Sequence, residues 1–398
     1  MSSPEIKHDL SIKFGSEYGP EEERAILNIL HQNAPTSGDA CIQFEKDFAA
    51  YCGTKYARCV SNGTAALFMS MVALNIKPGD RVITTPMTWI ASPAAAVTLG
   101  AEIDFVDIDP DTYNLDASQL GAAITPATKA IIPVHLYGQC CDMDAVLEVA
   151  NAHGIPVVED AAQAVGAAYK GRKAGSMGIT GCFSFHEQKN MSTLGEGGMV
   201  ITNDPDIFER IALYRSHCTR VHGKSTKYCS LDETKFPVGK TFWHQDFDDC
   251  GYNFRMTDIQ AAVGIEQLKK LDALNERRKQ NADYLTRGLS DIAGLKLPVT
   301  LPGNKHSFHL YPVMIDPDVY GRNKIDFVYD MLYERGIKVG THYNPLHWST
   351  AFQNRGFTKG QFPNAEKVGK CLVTLPLNPR QTREALDYLI ESVHALEQ

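Results

Sequence analysis

The sequence predicts an α/β protein: a large domain with a mainly parallel sheet flanked by helices, then a smaller α+β C-terminal domain. Three observations predict it. From about Ile42 to Met199, short apolar strand-like stretches alternate with helical ones. That alternation implies βαβ units and a sheet covered on both faces. A long amphipathic stretch, TDIQAAVGIEQLKKLDALNERRKQNADYLTRGL, follows. Beyond about Ser290 the alternation stops and strands and helices mix. At 398 residues the chain is long enough for a large domain, assigned to 1–275, and a smaller one, assigned to 276–398.

The elements follow in order. GPEEERAILNIL predicts an N-terminal helix that must bury its apolar face elsewhere, the second domain being one candidate. AALFMSMVALNI reads as a helix, RVITTP as a strand, AAAVTLG as a helix and EIDFVDI as a strand. ASQLGAAI is then a helix, TKAIIPVH a strand and MDAVLEVANAHG a helix that Gly154 is placed to stop. IPVVED is a buried strand. The long amphipathic stretch is a helix with room for one break. HLYPVMI, FVYDMLYERGIKV, CLVTLPL and REALDYLIESVHAL supply the smaller domain. From His217 to Asp249 there is little periodicity, which predicts a long functional loop.

Composition narrows the function. With 43% hydrophobic and 22% charged residues the chain is ordinary for a globular protein. A net charge of -8 argues against a dedicated nucleic-acid binder. No apolar run approaches the roughly 18 residues of a membrane span. The opening MSSPEIKHDLSIKFG lacks the basic and apolar regions of a signal peptide, so a cytoplasmic protein is expected. Ten cysteines show no disulfide-scaffold spacing, and Cys59, Cys182 and Cys371 lie in contexts of buried thiols. His217, Cys218, His222 and Cys229 have metal-ligating types but match no common zinc spacing, and the vicinal pair Cys140–Cys141 carries no further signal. No metal is expected.

Ligands of open α/β sheets bind at the carboxyl ends of strands. CVSNGTAAL places Gly63 and Thr64 at a helix start, where free N–H groups suit a phosphate; alone, this is also a simple helix cap. VVEDAAQA ends a strand in Glu159–Asp160, with Gln163 nearby; a carboxylate there caps a helix or points into the cleft. CFSFHEQKNMSTLGEGGMV brings Ser184, His186 and Lys189 out of a strand before a glycine-rich turn, and a cleft lysine of depressed pKa is a Schiff-base nucleophile. Together a phosphate cradle, a carboxylate and a lysine match the needs of pyridoxal 5'-phosphate. Trp89 in TTPMTWIASP is an aromatic that stacks on such a ring or packs in the core.

These stretches, with TKAIIPVHLYGQCCDMDAV, VVEDAAQAVGAAYKGRKAGSMG, GYNFRMTDIQAAVGIEQL and GTHYNPLH, resemble the DegT/DnrJ/EryC1/StrS family over nearly the whole chain. The family comprises pyridoxal-phosphate-dependent sugar aminotransferases of the aspartate-aminotransferase fold, fold type I. The resemblance implies that Lys189 forms the internal aldimine and shuttles the proton. It implies Asp160 at the pyridine nitrogen, Gln163 at the ring hydroxyl, Trp89 on the ring, and Gly63, Thr64 and Ser184 at the phosphate. Asn253 is expected to reach the phosphate of a neighbouring subunit, making a homodimer with a shared site. His342, Tyr343 and His347 are candidates for the substrate pocket, or parts of a small-domain turn.

Two departures from the family pattern stand out. KNMSTLGEGG holds one extra residue between Lys189 and Gly195, and the loop from Val221 to Asp249 is longer than expected. The implied reaction is ping-pong transfer from an amino acid, L-glutamate, to a carbonyl sugar. The amino sugar would feed a surface polysaccharide, such as lipopolysaccharide, or a secondary metabolite. A keto nucleotide sugar is the expected acceptor. A free keto or aldehyde sugar such as an 8-oxo-octulosonate, or a cyclitol ketone, is the alternative. A sugar 3-dehydratase of the same family carries histidine in place of the lysine, so Lys189 argues against it. A non-catalytic cofactor-binding regulator would bring a DNA-binding domain or lose the lysine.

Overall fold

The computed structural model describes residues 15–32, 36, 38–221 and 245–397. Helices α1 (Pro20–Gln32) and α2 (Asp39–Cys52) lead into β1 (Tyr56–Val60) and α3 (Gly63–Ala73). Next come β2 (Arg81–Thr84), α4 (Ala91–Val97), β3 (Glu102–Phe105), β4 (Thr128–Ile131), the helix Met143–Ala152 and β5 (Val158–Asp160). Strands Thr180–Ser184 and Gly198–Thr202 complete the central layer.

One set of strands runs β3–β2–β4, all parallel. A second runs β1, Gly198–Thr202, Thr180–Ser184, β5. Within it, β5 and Thr180–Ser184 are parallel, and Gly198–Thr202 lies antiparallel to both neighbours. Parallel bridges Ile131–Val157 and Val134–Asp160 join the two sets into one continuous, mainly parallel sheet. Its strands are buried on both faces, because helices cover each side and alternation would leave polar side chains in the core. One core packs α2 and the helix Met143–Ala152 against the sheet, and another packs α3 and α4.

The predicted long helix is a single unbroken Asp258–Leu289. Its start is specified locally: Thr257 and Gln260 form a reciprocal capping box. The first half contributes Ala261 and Leu271 to the core of the large sheet. The second half contributes Ala282, Leu285 and Leu289 to a separate core around a three-stranded antiparallel sheet. That sheet is Leu295–Lys296, Tyr311–Ile315 and Leu372–Leu375, flanked by helices Lys324–Tyr333 and Arg383–His394.

Helix α1 packs along the long helix, where Gln267 and Lys270 hold its Glu22. Its partner is therefore the first half of that helix and not the C-terminal sheet. Gly154 stops its helix at φ +64°, as its sequence position predicts. Cys59 and Cys182 are buried, whereas Cys371 is only partly so. The ends of the predicted 217–249 loop pair as two short antiparallel strands, Thr219–Val221 and Gln245–Phe247. His222 and Cys229 lie outside the described residues, as does most of that loop.

Candidate active site

A cleft of about 800 Å³ opens at the carboxyl ends of β1, β5 and Thr180–Ser184. The chain brings Gly63, Thr64, Trp89, Asp160, Gln163, Ser184, Lys189, His342 and Tyr343 together around it. At one end, Asn62 caps α3 by accepting from Ala65 N–H (2.8 Å). The N–H groups of Gly63 and Thr64 are left without a backbone acceptor among the described residues. Gly63 is required sterically, since a Cβ there would lie 2.7 Å from Ser184 Cβ. The result is a helix start, two free donors and the Ser184 hydroxyl at one spot, a cradle for an anion.

At the other end, Asp160 is 5% exposed and aimed into the cleft. Its Oδ2 accepts from the Ser92 hydroxyl (2.7 Å) and its Oδ1 from Ala162 N–H (3.1 Å). Gln163 Oε1 accepts from Tyr137 N–H (3.0 Å), which turns its amide nitrogen toward Tyr343 Oη (3.2 Å). Burial and the charge of Asp160 push the Tyr343 phenol's pKa up, so it stays protonated.

Lys189 lies between these ends. Its side chain is partly buried and, among the described residues, has no hydrogen-bond or ion-pair partner. Burial draws its pKa below the usual lysine value, against the opposing pull of Asp160 and Glu196. After it the chain tucks Met191, Ser192 and Thr193 inward and turns through Leu194 and Gly195, both at positive φ. The stretch carrying the extra residue is thus a buried segment followed by a left-handed turn. His342 Nδ1 pairs with Thr374 Oγ1 (2.8 Å). Burial, helped by the positive charges of Lys189 and Lys324, pushes its pKa down to about 4. Trp89 stands at the rim, 61% exposed, with its ring 6.2 Å from that of Tyr343.

Two predicted positions do not line this chain's own cleft. His347 is fully buried and pairs with Glu366 (3.0 Å), so it supports the turn and does not line the cleft. Asn253 is exposed, bridges to Ser216 and is not among the cleft-lining residues of its own chain. Sequence reasoning also missed Ser92, whose hydroxyl holds Asp160 from 68 residues away. Phe68, Gln188 and Glu196 of the cleft wall carried no separate signal.

Residues 17–394 match the sequence model of the DegT/DnrJ/EryC1/StrS aminotransferase family. This chain belongs to that family. The aminotransferase is 38% identical over 358 residues to GDP-perosamine synthase of Caulobacter vibrioides, covering 89% of this chain and 90% of that one. Its fold superimposes on DesV of Streptomyces venezuelae with a TM-score of 0.86 at 34% identity, covering 100% of each chain. Spr1654 of Streptococcus pneumoniae, solved in its PLP form, superimposes at 0.85 with 28% identity over 96% of this chain and 97% of that one. The aminotransferase therefore has the type I fold and uses pyridoxal 5'-phosphate. The cleft fits that cofactor: the anion cradle, the carboxylate and a lysine with no side-chain partner among the described residues face one space. Among the described residues no helix is long and apolar enough to cross a membrane.

Proposed function

We propose that this aminotransferase moves an amino group from L-glutamate to a keto nucleotide sugar, in amino-sugar synthesis for a surface polysaccharide or a secondary metabolite. The observation that carries the reading is Lys189, without a side-chain partner among the described residues, between the Asp160 carboxylate and the Gly63–Ser184 cradle. Gly63, Thr64 and Ser184 hold the phosphate, Asp160 the ring nitrogen, Gln163 the ring hydroxyl and Trp89 the ring face. When bound, pyridoxal phosphate withdraws electrons from the α-carbon of an attached amine, which makes its proton removable. Lys189, its pKa drawn down by burial, carries a share of neutral amine that takes that proton and returns it to the same face of the cleft. Ser92 and Ala162 donate to the Asp160 carboxylate and hold it toward the ring nitrogen.

The 2-oxo acid leaves before the sugar enters, so the cycle is ping-pong. His342 and Tyr343 orient the acceptor from the cleft wall. The similarity to GDP-perosamine synthase supports a nucleotide-linked acceptor. Asn253 serves the phosphate site of a second copy, so the working unit is a homodimer in the cytoplasm. The chain divides near residue 275 into a cofactor-binding and a smaller domain. The test is to incubate the amine form of the enzyme with nucleotide-linked keto sugars, free keto and aldehyde sugars and cyclitol ketones. A keto nucleotide sugar should restore the aldehyde-form spectrum. Restoration only by a free sugar or cyclitol would overturn the acceptor assignment, and restoration by none would overturn the function.

A further inference from the structure

Asp160 has a neighbour that no role above uses. Glu159 points to the opposite face of β5, as strand alternation requires, and is fully buried. A buried carboxylate is costly unless its lone pairs are met. Here they are: Oε2 accepts from His135 Nε2–H (2.8 Å) and Gly175 N–H (2.8 Å), and Oε1 from Met177 (2.6 Å) and Gly178 N–H groups. His135 is equally buried, and its Nδ1 accepts from Cys141 N–H (3.2 Å). The N–H of Cys141 occupies Nδ1, so the geometry fixes the neutral tautomer with its proton on Nε2, donated to Glu159.

The backbone around this pair leads directly to the cleft. His135 N–H donates to Asp160 C=O (3.0 Å), and Asp160 N–H donates to Pro133 C=O (3.0 Å). Two residues on, Tyr137 N–H holds Gln163, and its hydroxyl donates to His342 C=O (2.5 Å). From the loop at 175–178 that Glu159 grips, the chain enters Thr180–Ser184, whose end carries Ser184.

We propose that His135 and Glu159 are positioning residues that set the Asp160 carboxylate and the Gln163 amide relative to the cofactor ring. The inference rests on the functional reading above. A 1 Å misplacement of such groups costs on the order of a hundredfold in rate. The test uses the holoenzyme and the variants His135→Ala, His135→Gln and Glu159→Gln, with Val393→Ala in the C-terminal core as a control of matched destabilisation. The readouts are cofactor affinity, the pH midpoint of the bound cofactor's visible absorbance, and kcat. His135→Ala and Glu159→Gln should shift the midpoint and lower kcat roughly ten- to a hundredfold. His135→Gln, which keeps a donor, should recover part of both, and Val393→Ala should shift neither. If His135→Ala does not fold, the remaining variants decide. Unshifted midpoints in a protein that binds the cofactor, or equal shifts in Val393→Ala, overturn the positioning role alone. If the unsubstituted protein takes up no cofactor, the functional reading fails first.

Discussion

Lys189 and Asp160 make different demands on the same cleft, and their substitutions should fail differently. Lys189→Ala should abolish turnover and the absorbance of the lysine-bound cofactor while pyridoxal phosphate still binds; turnover assays and visible spectra check this. Asp160→Ala should leave the lysine-bound spectrum obtainable but slow transamination by several orders of magnitude, since on the proposed function the ring nitrogen loses its carboxylate partner. Near-normal rates would remove Asp160 from the mechanism. Gly63→Ala should weaken cofactor binding, because its new Cβ meets Ser184 Cβ at 2.7 Å and must push the cradle open; a cofactor titration measures this. The lysine and both ends of its cleft were legible because each sits at a strand end beside a residue type with one evident chemistry. His347 was not, because its partner Glu366 is 19 residues away and only folding shows that the pair is buried.

At the scale of elements, the alternating strands and helices of the large sheet were readable because each is short, apolar and closed by a local signal. Asn62 and Asp142 cap helices from their own chain positions, and Gly154 ends one. Elements fixed by distant groups were harder. The helix Pro363–Cys371 has no side-chain cap of its own. Asp107, just beyond β3, instead accepts from Asn364 and Ala365 N–H (2.9 Å each). No local pattern announces a cap supplied from more than 250 residues away. Asp107→Ala should cost about 1–2 kcal/mol, the usual worth of a lost cap, read from denaturant unfolding. The placement of α1 belongs to the same class: its amphipathic pattern requires a partner, and buried Glu22 finds one in Gln267 and Lys270.

For the whole molecule, two histidines, the buried His306 and the half-buried His342, set an acid limit. Burial pushes His342 down to about 4 and His306 to about 3, from an ordinary value of 6.5. The unfolded chain therefore binds their protons first as pH falls. Their stabilisation is complete above about pH 6.5 and is lost progressively down to their folded values. A steady fall in unfolding free energy from pH 6.5 toward 4 is expected in denaturant titrations, and a flat profile would contradict it. A second molecular property comes from the helix Asp258–Leu289, which lends its first half to one hydrophobic core and its second to another. Neither core can melt without stripping apolar contacts from a rod that the other still grips. Heat should therefore meet a single cooperative unit: one calorimetric peak, with van't Hoff and calorimetric enthalpies in agreement.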